Sequence, residues 1–165
     1  MQPDDWAMLR DVRLAALADA PDAFGSTLTR EAGQPEGQWR ARISARPWFL
    51  GFRGGQPAGL IAAFPQSPLP GQEPTWHLVS MWVSPDARGA GLADSLVGAV
   101  TAHARSAGAA RVTLWVAVGN DRARAFYRRM GFTPTGRRQR YPRPGAADLD
   151  EEEFACALSD AQRGP

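Results

Sequence analysis

The residues best placed to do chemistry form a short run, Arg88-Gly89-Ala90-Gly91, between a strand-like stretch and a long amphipathic one. A helix N-terminus offers unpaired N–H groups and the positive end of its dipole, and glycines let a charged ligand approach the backbone closely. The chemistry is that of an anion cradle suited to a diphosphate. A nucleotide-hydrolase loop would end in Gly-Lys-Ser/Thr, which is missing, and a dinucleotide fingerprint would need glycine at Asp94, where an acid repels phosphate.

What the chain lacks narrows the chemistry further. All 19 basic residues are arginine, so lysine Schiff-base chemistry is excluded. Cys156 is the single cysteine, and the two histidines, His77 and His103, make a poor ligand set, so no metal is expected. A length of 165 residues suits one domain spanning 1–165. No apolar run approaches the ~18 residues of a membrane span, and the start lacks a basic-then-apolar pattern, so a cytoplasmic protein without a membrane partner is expected. The net charge is only +2. Arg137, Arg138, Arg140 and Arg143 form a basic stretch, with an acidic one from Asp148 to Glu153, but Tyr141 is the only aromatic among the arginines. This reads as a solvated strand and loop, not as a nucleic-acid surface.

The elements that must position the cradle follow from periodicity. Trp6, Leu9, Leu14 and Leu17 share a helical face, and Ala20 to Gly37, punctuated by Pro21, Gly25, Gly33 and Pro35, reads as a loop able to fold over a pocket, with a short helix from about Gln38 to Ala45. Trp48–Phe52 and Ala58–Phe64 read as a hairpin turning at Arg53-Gly54-Gly55-Gln56, followed by an exposed proline-rich loop to Pro74. A strand from Trp76 to Val83 precedes the cradle, and a helix with Leu92, Leu96, Val100 and Ala107 on one face, and His103 packed among them, ends at Gly108. Arg111 to Val118 is a buried strand. Asn120 caps a helix reaching Met130, Phe132 begins a strand, and a last strand runs through Phe154 to Leu158 with Cys156 in the core. This order predicts an α/β fold, a mixed sheet with helices on both faces.

The pattern Arg88-x-x-Gly91-x-Ala93 resembles the Gln/Arg-x-x-Gly-x-Gly/Ala signature of the GNAT superfamily of acetyl-coenzyme A dependent N-acetyltransferases. Met81-Trp82-Val83-Ser84-Pro85 stands where that family has its fourth strand, and Asn120 through Ala125-Phe126-Tyr127 to Phe132 looks like its second coenzyme segment. The resemblance covers Thr75 to Phe132 closely and the flanks loosely. It implies a mostly antiparallel twisted sheet with a splayed cleft, acetyl-coenzyme A as co-substrate, and direct attack by an amine. Backbone groups of Met81, Trp82 and Val83 would hold the pantetheine arm; N–H groups of Arg88, Gly89, Ala90, Gly91, Leu92 and Ala93 the diphosphate; and Asn120 the cofactor's arm. Tyr127 would sit by the sulfur as general acid.

Relatives place a glutamate or histidine base on the fourth strand, where the candidate is His77, because period two puts it on one face with Val79, Met81 and Val83; Glu73, Glu31 or a water chain are the alternatives. Glu31, Glu36 and Glu73 are the carboxylates that could hold a cationic amine, with Phe24, Trp39, Trp48 and Trp76 as an apolar wall. The expected acceptor is a small-molecule amine, the alternatives being a protein N-terminus or lysine, or a coenzyme-binding module without catalysis. A homodimer is allowed. The family's opening strand has only Met1-Gln2-Pro3 to supply it, so it is expected to be absent or truncated.

Overall fold

A computed structural model describes residues 1–67, 73–140 and 150–158. Two helices, α1 (Trp6–Asp19) and α3 (Glu36–Ala45), flank a short α2 (Leu28–Ala32). The strands are β1 (Trp48–Arg53), β2 (Gln56–Pro65), β3 (Thr75–Val83), β4 (Arg111–Ala117), β5 (Thr133–Arg140) and β6 (Asp150–Ala157), with α4 (Leu92–Ser106) after β3 and α5 (Asp121–Arg129) after β4. The six strands among the described residues form one sheet in the order β1-β2-β3-β4-β6-β5, antiparallel except for the parallel pair β3–β4. A 3₁₀ turn at Pro3–Asp5 leads directly into α1.

Several boundaries differ from the sequence reading for local reasons. The segment 20–37 is not all loop: it holds a 3₁₀ turn at Pro21–Ala23 and α2, whose start is fixed by Thr27 accepting from the Arg30 amide at 3.2 Å. On α4 the core face is Leu96, Val97, Val100 and Ala104, while Ala107 caps the exposed end. Phe132 is core, 1% exposed, and its strand starts one residue later. The last strand begins at Asp150, so it takes in the acidic run.

One core cluster lies between the sheet and α4, the other under α1 and α3. β2 is buried on both faces from Ala58 to Ala63, and its glycine admits neighbours closely: a Cβ on Gly59 would meet the Trp82 carbonyl at 2.9 Å. His103 packs edge-on between Phe49 and Trp76, with ring centroids 5.7 and 5.1 Å away. Cys156 borders the first cluster, half-buried.

A bulge in β3 decides the geometry around the cradle. Leu60 pairs with Trp82 but Ala62 with Val79, so Ile61 stands opposite two residues, Ser80 and Met81. Ser80 has φ 59°, a left-handed conformation unusual for a side chain other than glycine. Alternation therefore resets. Val79 and Trp82 pack with the α1 side, while Met81 and Val83 join Trp76 and Leu78 on the α4 side.

Candidate active site

The parallel pairing of β3 with β4 stops after three pairs, Thr75–Arg111, Trp76–Val112 and His77–Thr113. Beyond His77 the strands splay, leaving the β4-facing edge of β3 without a strand partner. Such an edge can pair with an extended ligand that carries amides. The opening is a cavity of about 790 Å³ lined by Met81, Trp82, Val83, Arg88, Gly89, Gly91, Ala93, Asn120 and Tyr127, all expected from sequence. Ala90 is exposed and Leu92 turns inward, packing under Gly51 of β1; neither side chain lines the opening.

The cradle has the required conformation. Gly89 and Gly91 have φ 81° and 80°, a Cβ on either would meet nothing within 4 Å, and Gly91 caps α4, so the first amides of that helix face open space. Positive charge surrounds it, because Arg88, Arg122 and Arg129 also line the cavity. The sequence reading missed Arg122 and Arg129 as site residues; their spacing on α5 was the available signal. Asp94 is not left to repel an anion, since Arg129 pairs with it at 2.9 Å. The Arg88 side chain is turned aside, its Nε donating to the Val83 carbonyl at 3.0 Å and its Nη2 to Asp19 at the end of α1. The Trp82 indole N–H also donates to Asp19, at 2.8 Å, and holds that carboxyl below its ordinary pKa together with Arg88 and against burial.

Asn120 caps α5, its Oδ1 accepting from the Ala123 amide at 3.1 Å, and still lines the cavity. The Tyr127 ring is buried edge-on between Phe126 and Phe132, at 5.1 and 5.7 Å, and burial pushes its phenol well above the usual value, so it keeps its proton.

His77 is a correction to the sequence reading. The bulge puts it on the face opposite Met81 and Val83, at the root of the splay, and it is not among the residues lining the cavity. It is buried, with Nδ1 3.0 Å from Thr113 Oγ1 and its ring edge-on to Phe64, and burial lowers its pKa against the opposing charge of Glu153. The expected acids are also spent. Glu31 is locked by Arg13 and Arg42, Glu36 pairs with Arg40, and Glu73 is exposed outside the cavity. Of the four aromatic residues expected as a wall, Phe24 lines the cavity, whereas Trp39, Trp48 and Trp76 are core. The arginines of β5 lie on an exposed strand, as read, and Arg137 and Arg140 pair across to Glu153 and Asp150; Tyr141 to Asp148 lie outside the described residues.

A mixed sheet split after three parallel pairs, with a glycine cradle beside the split, defines a class of coenzyme A dependent acyltransferases. The model of the GNAT acetyltransferase family matches residues 13–132. The chain belongs to that family and is an acetyltransferase using acetyl-coenzyme A. A comparison with curated protein sequences finds no match. Among solved structures, a GNAT-family acetyltransferase from Streptococcus pneumoniae superposes with TM-score 0.78 at 17% identity, covering 96% of each chain. A ribosomal-protein-alanine N-acetyltransferase from Brucella melitensis gives 0.71 at 23%, covering 95% of this chain and 96% of its own. The Salmonella typhimurium protein yncA, solved with its cofactor acetyl-CoA, gives 0.73 at 16%, covering 100% and 95%. At these identities the likeness is one of fold. Among the described residues no group of side chains suits a metal ion, and no helix is long and apolar enough to cross a membrane.

Proposed function

We propose that this protein acetylates a primary amine of a small molecule, in a ternary complex and without a covalent enzyme intermediate. The observation that supports this reading is the convergence of four separate segments, Met81–Val83, Arg88–Ala93, Asn120 and Tyr127, on one 790 Å³ cavity. Acetyl-coenzyme A supplies the thioester carbonyl and the thiol leaving group. The unpaired β3 edge suits the amides of a pantetheine arm, and the α4 amides with Arg122 suit the phosphates, Arg129 holding Asp94 neutralised beside them. Backbone around Met81, taken out of the β2 ladder by the bulge, is assigned to the oxyanion. Tyr127 is assigned as the acid that protonates the departing sulfur, whose own proton affinity rises where burial has raised that of the phenol.

Two structural neighbours are a ribosomal-protein-alanine N-acetyltransferase and a NatC complex bound to Gag peptide and CoA, which makes a protein N-terminus the second reading. A second, smaller cavity of about 160 Å³, sharing Met81 and Tyr127 with the first, favours a small acceptor. Release of free thiol from acetyl-coenzyme A, followed over a panel of small amines and of peptides with free N-termini, tests the proposal. Turnover with small amines is the expected result, and turnover confined to peptides overturns it.

A further inference from the structure

The smaller cavity opens on the sheet face covered by α1, and passes through the splay to Tyr127 and Met81. Its walls include Phe24 and Trp115, and its volume of about 160 Å³ would hold roughly five waters at about 30 Å³ each. One further wall is Glu151, from the acidic run of β6.

Glu151, Glu152 and Glu153 are all buried, 8%, 8% and 4% exposed, and alternation sends them to different partners. Glu152 points to the α5 side, where Arg124 meets it at 2.8 Å. Glu153, on the opposite face, pairs with Arg137 at 3.2 Å and accepts from Thr135 Oγ1 at 2.8 Å. Glu151, on that same face, has as its side-chain partner among the described residues a neutral amide, Gln139 Nε2 at 3.0 Å. Burial raises its pKa against that hydrogen bond. A glutamate only 8% exposed, with no counter-charge on it among the described residues, is costly to a fold unless a ligand brings the cation. Among the described residues the other ionisable groups on this side do not supply one: Asp22, on the cavity wall, is an acid, Arg137 is engaged by Glu153, and burial disfavours the cationic form of His77.

Building on the acetyl-transfer reading, we infer that Glu151 receives the acceptor: its carboxylate binds the ammonium of a cationic amine in the smaller cavity and takes one of its protons. The transfer balances as ammonium plus carboxylate giving neutral amine plus carboxylic acid, and no other reactant is needed. The freed lone pair then lies in the cavity shared with Met81 and Tyr127. The enzyme accordingly selects small amines that are charged in solution, with a flat apolar body against Phe24 and Trp115.

The test compares wild type with Glu151→Gln, using benzylamine and phenethylamine as cationic acceptors and aniline as a neutral one. Thiol release gives KM and kcat at saturating acetyl-coenzyme A, and calorimetry gives the Kd of benzylamine for protein loaded with coenzyme A. Wild type is expected to prefer the cationic amines. Glu151→Gln should raise their KM and Kd at least about tenfold, the scale of a hydrogen bond to a charged group, and leave aniline within about twofold. Glu151→Asp, which keeps the charge, should keep the preference, and Glu153→Gln, which removes a charge outside the cavity, should not alter it. Equal losses for charged and neutral amines, or a wild-type preference for aniline, overturn the inference. If acetyl-coenzyme A binds but benzylamine and phenethylamine do not, the inference fails alone; if acetyl-coenzyme A does not bind, the acetyl-transfer reading fails with it.

Discussion

Replacing Glu31 by glutamine removes one charge from a buried network that ties α2 to α1 and α3. The Glu31 carboxylate accepts from Arg13 at 3.1 and 2.9 Å and from Arg42 at 2.6 Å, and the residue is 2% exposed. Burial alone pushes this carboxyl up; the bonds and charge of Arg13, with the bond from Arg42, more than reverse it and hold the pKa at about 2, against an ordinary 4.5. At about 1.36 kcal/mol per tenfold change in proton affinity, the contrast is worth about 3 kcal/mol at neutral pH. Leaving Arg13 buried without its partner costs about 3–5 kcal/mol by a separate route, so the two scales agree. Glu31→Gln is expected to lose about 3 kcal/mol in urea unfolding at neutral pH and to melt about 10 °C lower. Because the folded pKa lies below the unfolded one, the wild-type advantage is present above 4.5 and fades as pH falls toward 2, where the two proteins should converge. The effect reaches the site, since the Arg13 guanidinium lies 4.6 Å from the Phe24 ring centroid and Phe24 lines both cavities. The acceptor KM should rise while the cradle still binds acetyl-coenzyme A. A loss below about 1 kcal/mol, or a difference undiminished at the acid end, would refute the reasoning.

Tyr127→Phe keeps the ring packing against Phe126 and Phe132 and removes only the hydroxyl, so stability should change by less than about 1 kcal/mol while kcat falls roughly ten- to a thousandfold. Unchanged kcat in a chemistry-limited assay would remove Tyr127 from the mechanism. Gly91→Val forces a branched side chain to φ 80° at the cap of α4 and fills the open space there, so calorimetry should show acetyl-coenzyme A binding abolished; normal binding would dismiss the cradle. His77, with a pKa lowered by burial, makes the wild type lose stability as pH falls below about 6.5, because the unfolded chain then takes up a proton that the folded one resists. His77→Gln should flatten that slope in pH-dependent unfolding and leave the pH profile of kcat/KM intact. A lost kinetic limb in this variant would return His77 to the role of base.

Much of the candidate site was legible because its conformation depends on local chain geometry. The glycines of Arg88-Gly89-Ala90-Gly91 adopt the backbone that their lack of a Cβ permits, Asn120 caps the helix it precedes, and Tyr127 follows at a fixed helical offset. Strand and helix order, α2 apart, followed equally from periods of two and 3.6. Only the tertiary structure decided the rest. The bulge at Ser80 and Met81 arises from how β3 registers against β2, and one inserted residue sends His77 to the other face; no glycine or proline there announced it. The acids were equally unreadable one by one. A carboxylate's role is set by which guanidinium the fold brings to it, and a chain with 19 arginines offers every acid many candidates. Folding gave Glu31 to Arg13 and Arg42, Glu152 to Arg124 and Glu153 to Arg137, and set Glu151 against a neutral amide at the wall of a cavity, because contacts between distant segments belong to the packed chain and leave no mark on local spacing.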